Sequence, residues 1–113
     1  MLTIYHNPRC SKSRQTLELI KQNSTKKLTI VEYLKQPLTH TEITQLLSQL
    51  ACKPIDMMRV KETEFKEQNL NIASDEQLIQ AMVLTPKLVE RPIVSDGNKA
   101  IIGRPPENAL ALC

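Results

Sequence analysis

The spacing of apolar residues changes along this chain, and the changes mark its elements. Leu2-Thr3-Ile4-Tyr5 is a short run with the Ile and Tyr content of a strand. From Ser11 to about Gln22 the pattern turns helical: Leu17, Leu19 and Ile20 supply an apolar face, and Lys21 suits the negative end of the helix dipole. Asn23 to Lys27 is a polar turn. Leu28-Thr29-Ile30-Val31-Glu32-Tyr33, rich in β-branched residues, is the clearest strand in the chain. A strand, a helix and a strand within this span predict a right-handed unit whose two strands run parallel.

A helical block follows. Thr39 with Glu42 forms a capping box, and Ile43, Leu46, Leu47 and Leu50 make one stripe behind it. Short helices are expected over Ile55–Val60 and Glu64–Gln68. Ser74 with Gln77 opens another, in which Leu78, Ile79 and Met82 face inward and which Pro86 stops. Strand chemistry returns at Pro92–Ser95. Asp96-Gly97-Asn98 is a hairpin turn, Lys99–Ile102 pairs back antiparallel, and Glu107–Leu112 closes the chain as a short helix. The expected fold is α/β and thioredoxin-like: β-α-β, a helical insert over about residues 37–88, then β-β-α. The four strands would form a mixed sheet in a single domain over residues 1–113.

Composition narrows the class. With 113 residues, 41% hydrophobic and 24% charged, the chain can bury a modest core. A net charge of +3 without a lysine–arginine block argues against nucleic-acid or membrane partners. No stretch approaches 18 apolar residues and no leader pattern opens the chain, so a cytoplasmic protein is expected. Three cysteines at long spacings (Cys10, Cys52 and Cys113) make neither a disulfide framework nor a metal signature. Free thiols are expected.

The candidate chemistry lies between the first strand and the first helix. Cys10 sits where a helix begins, among unpaired N–H groups and the positive end of the macrodipole. Both favour the thiolate, the reactive form. An ordinary cysteine is only about 3% ionised at pH 7. Its neighbours Asn7, Pro8, Arg9, Ser11, Lys12 and Ser13 cannot all line a dry core. Ser13 stands where a dithiol site would have a second cysteine, so exchange needs an external thiol.

His6, four residues before Cys10, is either a surface residue closing the strand or an imidazole that stabilises the thiolate or relays a proton. The five arginines are Arg9, Arg14, Arg59, Arg91 and Arg104. Two flank the cysteine, and Arg91 and Arg104 each precede a proline, which holds them on extended or turning backbone. Arg91-Pro92 is also a natural place for a cis bond. A guanidinium fork suits a tetrahedral oxyanion better than lysine does. Cys52 reads as packing, and Cys113 ends the chain.

These residues resemble the ArsC-like arsenate reductase family, which has a thioredoxin fold and couples to glutathione and glutaredoxin. Matching segments are His6-Asn7-Pro8 with Cys10, Ser13-Arg14 with Thr16-Leu17, Asp75–Ile79, Arg91–Val94 and Gly103-Arg104-Pro105. The resemblance implies that Cys10 attacks arsenate, glutathione acts as co-substrate, and glutaredoxin resolves the mixed disulfide as arsenite forms. It places Arg59, Arg91 and Arg104 on the anion, with Ser13 and Arg14 beside them, and assigns His6 to lowering the thiol's pKa. No metal and no bound cofactor are implied.

Two features depart from the better-studied reductases. Ser11-Lys12 stands in place of Gly-Thr, and the chain stops soon after its last expected helix, as in a shorter subgroup. Two further readings stay open. One is a monothiol glutathione-dependent oxidoreductase for which arsenate is incidental. The other is a non-enzymatic regulator of the Spx type that binds RNA polymerase, whose Cys-x-x-Cys switch Ser13 does not supply.

Overall fold

In the computed structural model, which describes residues 1–113, the strands assemble into one mixed sheet of order β2-β1-β3-β4. β1 (Leu2–Tyr5) leads through α1 (Ser11–Asn23) to β2 (Leu28–Val31), and these two strands run parallel. β3 (Ile93–Ser95) lies antiparallel on the other side of β1, and β4 (Ala100–Ile102) pairs antiparallel with β3. The α/β, thioredoxin-like class expected from the pattern is the class observed.

The pleat of β1 explains its core. Leu2 and Ile4 are fully buried while Thr3 and Tyr5 are half-exposed, because alternate side chains leave opposite faces. Leu2 and Ile4 cluster with Ile20 of α1, Val94 of β3, and Ala109 and Leu112 from the closing 3₁₀ segment Pro106–Leu112. Each fully buried Leu or Ile contributes roughly 1.5–3 kcal/mol. This packing holds α1 against the sheet through Ile20 and Leu17.

The chain divides into two compact units, Met1–Gln36 with Arg91–Cys113, and Pro37–Glu90. The second contains α2 (His40–Leu50), α3 (Thr63–Glu67) and α4 (Asp75–Leu84), with 3₁₀ turns at Pro54–Met57, Leu70–Ile72 and Pro86–Leu88. Both capping boxes form: Thr39 with Glu42, and Ser74 with Gln77. Ile43, Met57, Met82 and Leu88 are its most deeply buried side chains.

Three boundaries differ from the pattern, each for a reason beyond local propensity. β2 stops at Val31 because the Glu32 carbonyl accepts the N–H groups of Lys35 and Gln36 and turns the chain. The helix expected over Ile55–Val60 is only the 3₁₀ turn Pro54–Met57. Met58 goes extended and bridges Val89, the Arg59 N–H reaches the Leu88 carbonyl, and the Glu90 N–H reaches Met57. The last helix is likewise 3₁₀. No helix is long and apolar enough to cross a membrane.

Candidate active site

Sheet register brings the site together. In the β3–β4 ladder Ser95 faces Ala100, Val94 faces Ile101 and Ile93 faces Ile102. Continued outward, that register sets Pro92 beside Gly103 and Arg91 opposite Arg104. The Gly103 N–H donates to the Pro92 carbonyl at 2.8 Å, and Arg104 Nε donates to the Arg91 carbonyl at 2.9 Å. Both Arg-Pro bonds are cis. Like charges placed opposite each other are ordinarily unfavourable in a ladder. Here they share a neighbour that can take up negative charge, the sulfur of Cys10.

The same sheet end launches the cysteine loop. After β1 the His6 N–H bonds to the Val31 carbonyl at 2.7 Å, so the chain leaves the sheet beside the end of β2. Asn7 then makes a tight turn: its Oδ1 accepts the Arg9 N–H at 3.0 Å and its carbonyl accepts the Cys10 N–H at 3.0 Å. This delivers Cys10 to the N-cap of α1 in extended conformation. Its carbonyl accepts the Arg14 N–H at 3.0 Å, while its side chain makes no capping bond. The first turn carries no acidic residue to compete for its N–H groups.

Cys10 is half-buried. Burial pushes its thiol up, but four groups outweigh that and hold it below the ordinary range: the Ser13 N–H, the guanidinium groups of Arg104 and Arg91, and the Lys12 N–H. Arg104 Nη2 stands 3.6 Å from Sγ. The sulfur thus sits where an anion is favoured, and a tetrahedral oxyanion arriving there meets the same donors.

His6 and Ser13, placed apart by the sequence, are one buried unit. His6 Nδ1 lies 2.6 Å from Ser13 Oγ, which also accepts the Asn7 N–H at 3.1 Å. Burial holds the imidazole's pKa below its usual value, Glu32 pulls the other way, and Arg14 and Lys21 add to the depression. A neutral ring at pH 7 follows. The route from His6 to the sulfur therefore passes through Ser13, whose hydroxyl meets the ring and whose N–H meets Cys10.

Arg14 is turned to the loop itself, Nη1 donating to the Pro8 carbonyl at 3.0 Å. Arg59 belongs to the other unit, where its Nε donates to Glu62 at 2.9 Å. That bond, helped by the charges of Arg59 and Lys87, outweighs burial and sets the Glu62 carboxyl below its usual range. Arg59 is thus anchored through Nε within its own unit, as Arg104 is through its Nε on the Arg91 carbonyl.

Two contributors escaped the sequence reading. Tyr33, fully buried just past β2, bonds the Arg91 guanidinium. Its place in the Leu28–Tyr33 run marks a strand residue, and nothing in that pattern points to an arginine far along the chain. Gly103 is the other: a Cβ there would lie 2.7 Å from Thr16 Oγ1 and 2.8 Å from Pro92 Cγ, so only glycine lets the Arg104 loop close on α1. The hairpin register was available in sequence and, counted outward, pairs Arg91 with Arg104. No three His, Cys, Asp or Glu side chains gather as a metal site would require.

Comparison with known proteins identifies the family. The ArsC family model matches residues 5–112, and the chain belongs to that family. It is 50% identical over 112 residues to the uncharacterized protein YfgD of Escherichia coli K12, covering 96% of this chain and 93% of that one. Identity to the arsenate reductase of Haemophilus influenzae is 39%, over 96% of each chain. Among solved structures, the arsenate reductase from Vibrio cholerae superimposes with a TM-score of 0.93 at 42% identity, over 99% of this chain and 97% of that one.

Proposed function

We propose that the protein is a cytoplasmic arsenate reductase in which Cys10 is the nucleophile and glutathione, with glutaredoxin, supplies the electrons. The observation that carries this is the lowered thiol of Cys10 with Arg104 3.6 Å away and Arg91 beside it, at the N-terminus of α1. Family membership and the relatives named arsenate reductase support the choice of oxyanion.

Arsenate near neutral pH carries one to two negative charges, so attack by an anionic sulfur is opposed. At 4 Å and an effective dielectric near 20, each pair of unit charges repels by roughly 4 kcal/mol. The two guanidinium groups offset that cost and hold the oxyanion along with the Ser13 and Lys12 N–H groups. Arg14 acts by bracing the loop that presents them.

In the first step the Cys10 thiolate forms a sulfur–arsenic bond and an arsenate oxygen leaves as water after protonation. A glutathione thiolate then attacks the Cys10 sulfur. The sulfur–arsenic bond breaks with its electron pair going to arsenic, As(V) becomes As(III), and Cys10 is left as a mixed disulfide. Glutaredoxin attacks that disulfide and returns the Cys10 thiolate. Glutathione is thus a co-substrate, and the protein needs no resident cofactor.

Arsenite formation with glutathione and glutaredoxin tests the assignment. Cys10→Ser is expected to reduce it to background, and a variant that kept the wild-type rate would refute the role of Cys10.

A further inference from the structure

A groove of about 280 Å³ runs beside the cysteine loop, within the unit that carries Cys10. Its floor is His6 and Asn7, both buried; its walls are the exposed Pro8 and Arg9 on one side and Glu32, Leu34 and Lys35 on the other. At just under the roughly 300 Å³ where small-molecule sites begin, and open on one side, the groove can take a ligand of tripeptide size.

Its chemistry is specific. Two cations (Arg9 and Lys35), one carboxylate (Glu32) and an apolar strip (Pro8 and Leu34) line it. Lys35 and Glu32 stand 3.6 Å apart with side chains 79% and 41% exposed, so both heads are open to a ligand. Leu34 is itself 44% exposed. A ligand with two carboxylates and one ammonium is the complement of this set.

The cysteine needs such a visitor. Ser13 replaces a resolving thiol, and all three cysteines are free. The Asn7 turn ties the groove to the cysteine: the carbonyl of Asn7, a floor residue, accepts the Cys10 N–H at 3.0 Å. A tripeptide, roughly 10 Å long when extended, has the length to pass that turn and reach Cys10.

We infer that the groove between the Pro8-Arg9 turn and the Glu32–Lys35 segment is the docking site of the thiol co-substrate, a small peptide thiol with two carboxylates and one ammonium. The inference deepens the reductase reading and rests on it for the role of that thiol. Arg9 and Lys35 take the carboxylates, Glu32 takes the ammonium, and Pro8 with Leu34 packs against the peptide's apolar body.

The test compares two disulfides attacked by the same thiolate, oxidised glutathione and the uncharged bis(2-hydroxyethyl) disulfide. In each reaction Cys10 forms a new S–S bond and one thiolate leaves. The rate on the Cys10 peptide is followed by mass spectrometry, and the ratio of the two rates cancels any change in Cys10 ionisation. Lys35→Glu is expected to lower the glutathione-to-neutral ratio about threefold, and Arg9→Glu with Lys35→Glu about tenfold. The difference should fade in 1 M salt, where the screening length is only about 3 Å.

Continued reaction with the neutral disulfide shows that each variant is folded. A ratio unmoved in both variants overturns the groove, even if the wild type makes arsenite. A ratio that moves in a protein that makes no arsenite supports the groove and overturns the arsenate assignment instead.

Discussion

Cys10 and Cys52 are both half-buried free thiols, and burial raises both, yet their ionisation is shifted in opposite directions. Cys10 caps the N-terminus of α1, where N–H groups and two guanidinium groups meet its sulfur. Cys52 follows the C-terminus of α2, past the left-handed Ala51, and Asp56 adds to its burial in pushing the thiol up. A helix offers positive potential at one end and negative at the other. Burial alone does not make a cysteine reactive; its position on the helix and its charged neighbours do.

The largest separation between the two should come from substitution. Cys10→Ser is expected to abolish arsenite formation, whereas Cys52→Ser leaves kcat/KM within twofold, both measured with glutathione and glutaredoxin. A wild-type rate in the first or a large loss in the second would reverse the comparison.

Next come the cations. Arg104→Ala and Arg91→Ala should each lower kcat/KM about 10²–10³-fold, the usual loss for one oxyanion donor. Each should also move the alkylation profile of Cys10 toward that of Cys52. Iodoacetamide mapping from pH 6 to pH 10 reads this: in the wild type Cys10 is expected to titrate below the ordinary thiol range and Cys52 above it.

Gly103→Ala tests the support behind Arg104. The added methyl overlaps Thr16 and Pro92 and should cost about 1–3 kcal/mol, seen as a lower urea midpoint. Tyr33→Phe removes one hydrogen bond to Arg91, worth about 0.5–1.5 kcal/mol. It should raise KM for arsenate about three- to tenfold and lower the urea midpoint by less than Gly103→Ala does.

The smallest effect is in the pH dependence of stability, and its signs are opposite. A depressed thiol pKa gives Cys10 a stabilising contribution that is complete above 9.0 and fades as pH falls through its folded value. Cys52, with a raised pKa, contributes in full below 9.0 and loses that as pH rises through its folded value. Urea titrations from pH 7 to pH 10 should show the wild type gaining on Cys10→Ser and losing on Cys52→Ser.

Sequence alone determined whatever acts over three or four residues. The capping boxes at Thr39 and Ser74, the β-branched run of β2, the turn at Asp96-Gly97-Asn98 and the place of Cys10 at a helix start all depend on local hydrogen bonding and periodicity. The absence of a second thiol was equally legible, because Ser13 is simply not a cysteine. Tertiary structure decided the rest. Arg91 meets Arg104 through ladder register, Tyr33 reaches Arg91 from the far side of β1, and Met58 goes extended because Val89 offers it a partner. His6 acts on Ser13 because both are buried together at the sheet's end. Such contacts join residues tens of positions apart and are set by packing, which local propensity does not encode. The sequence could name the thiol and its candidate cations; only the fold could show which of those cations stand against the sulfur.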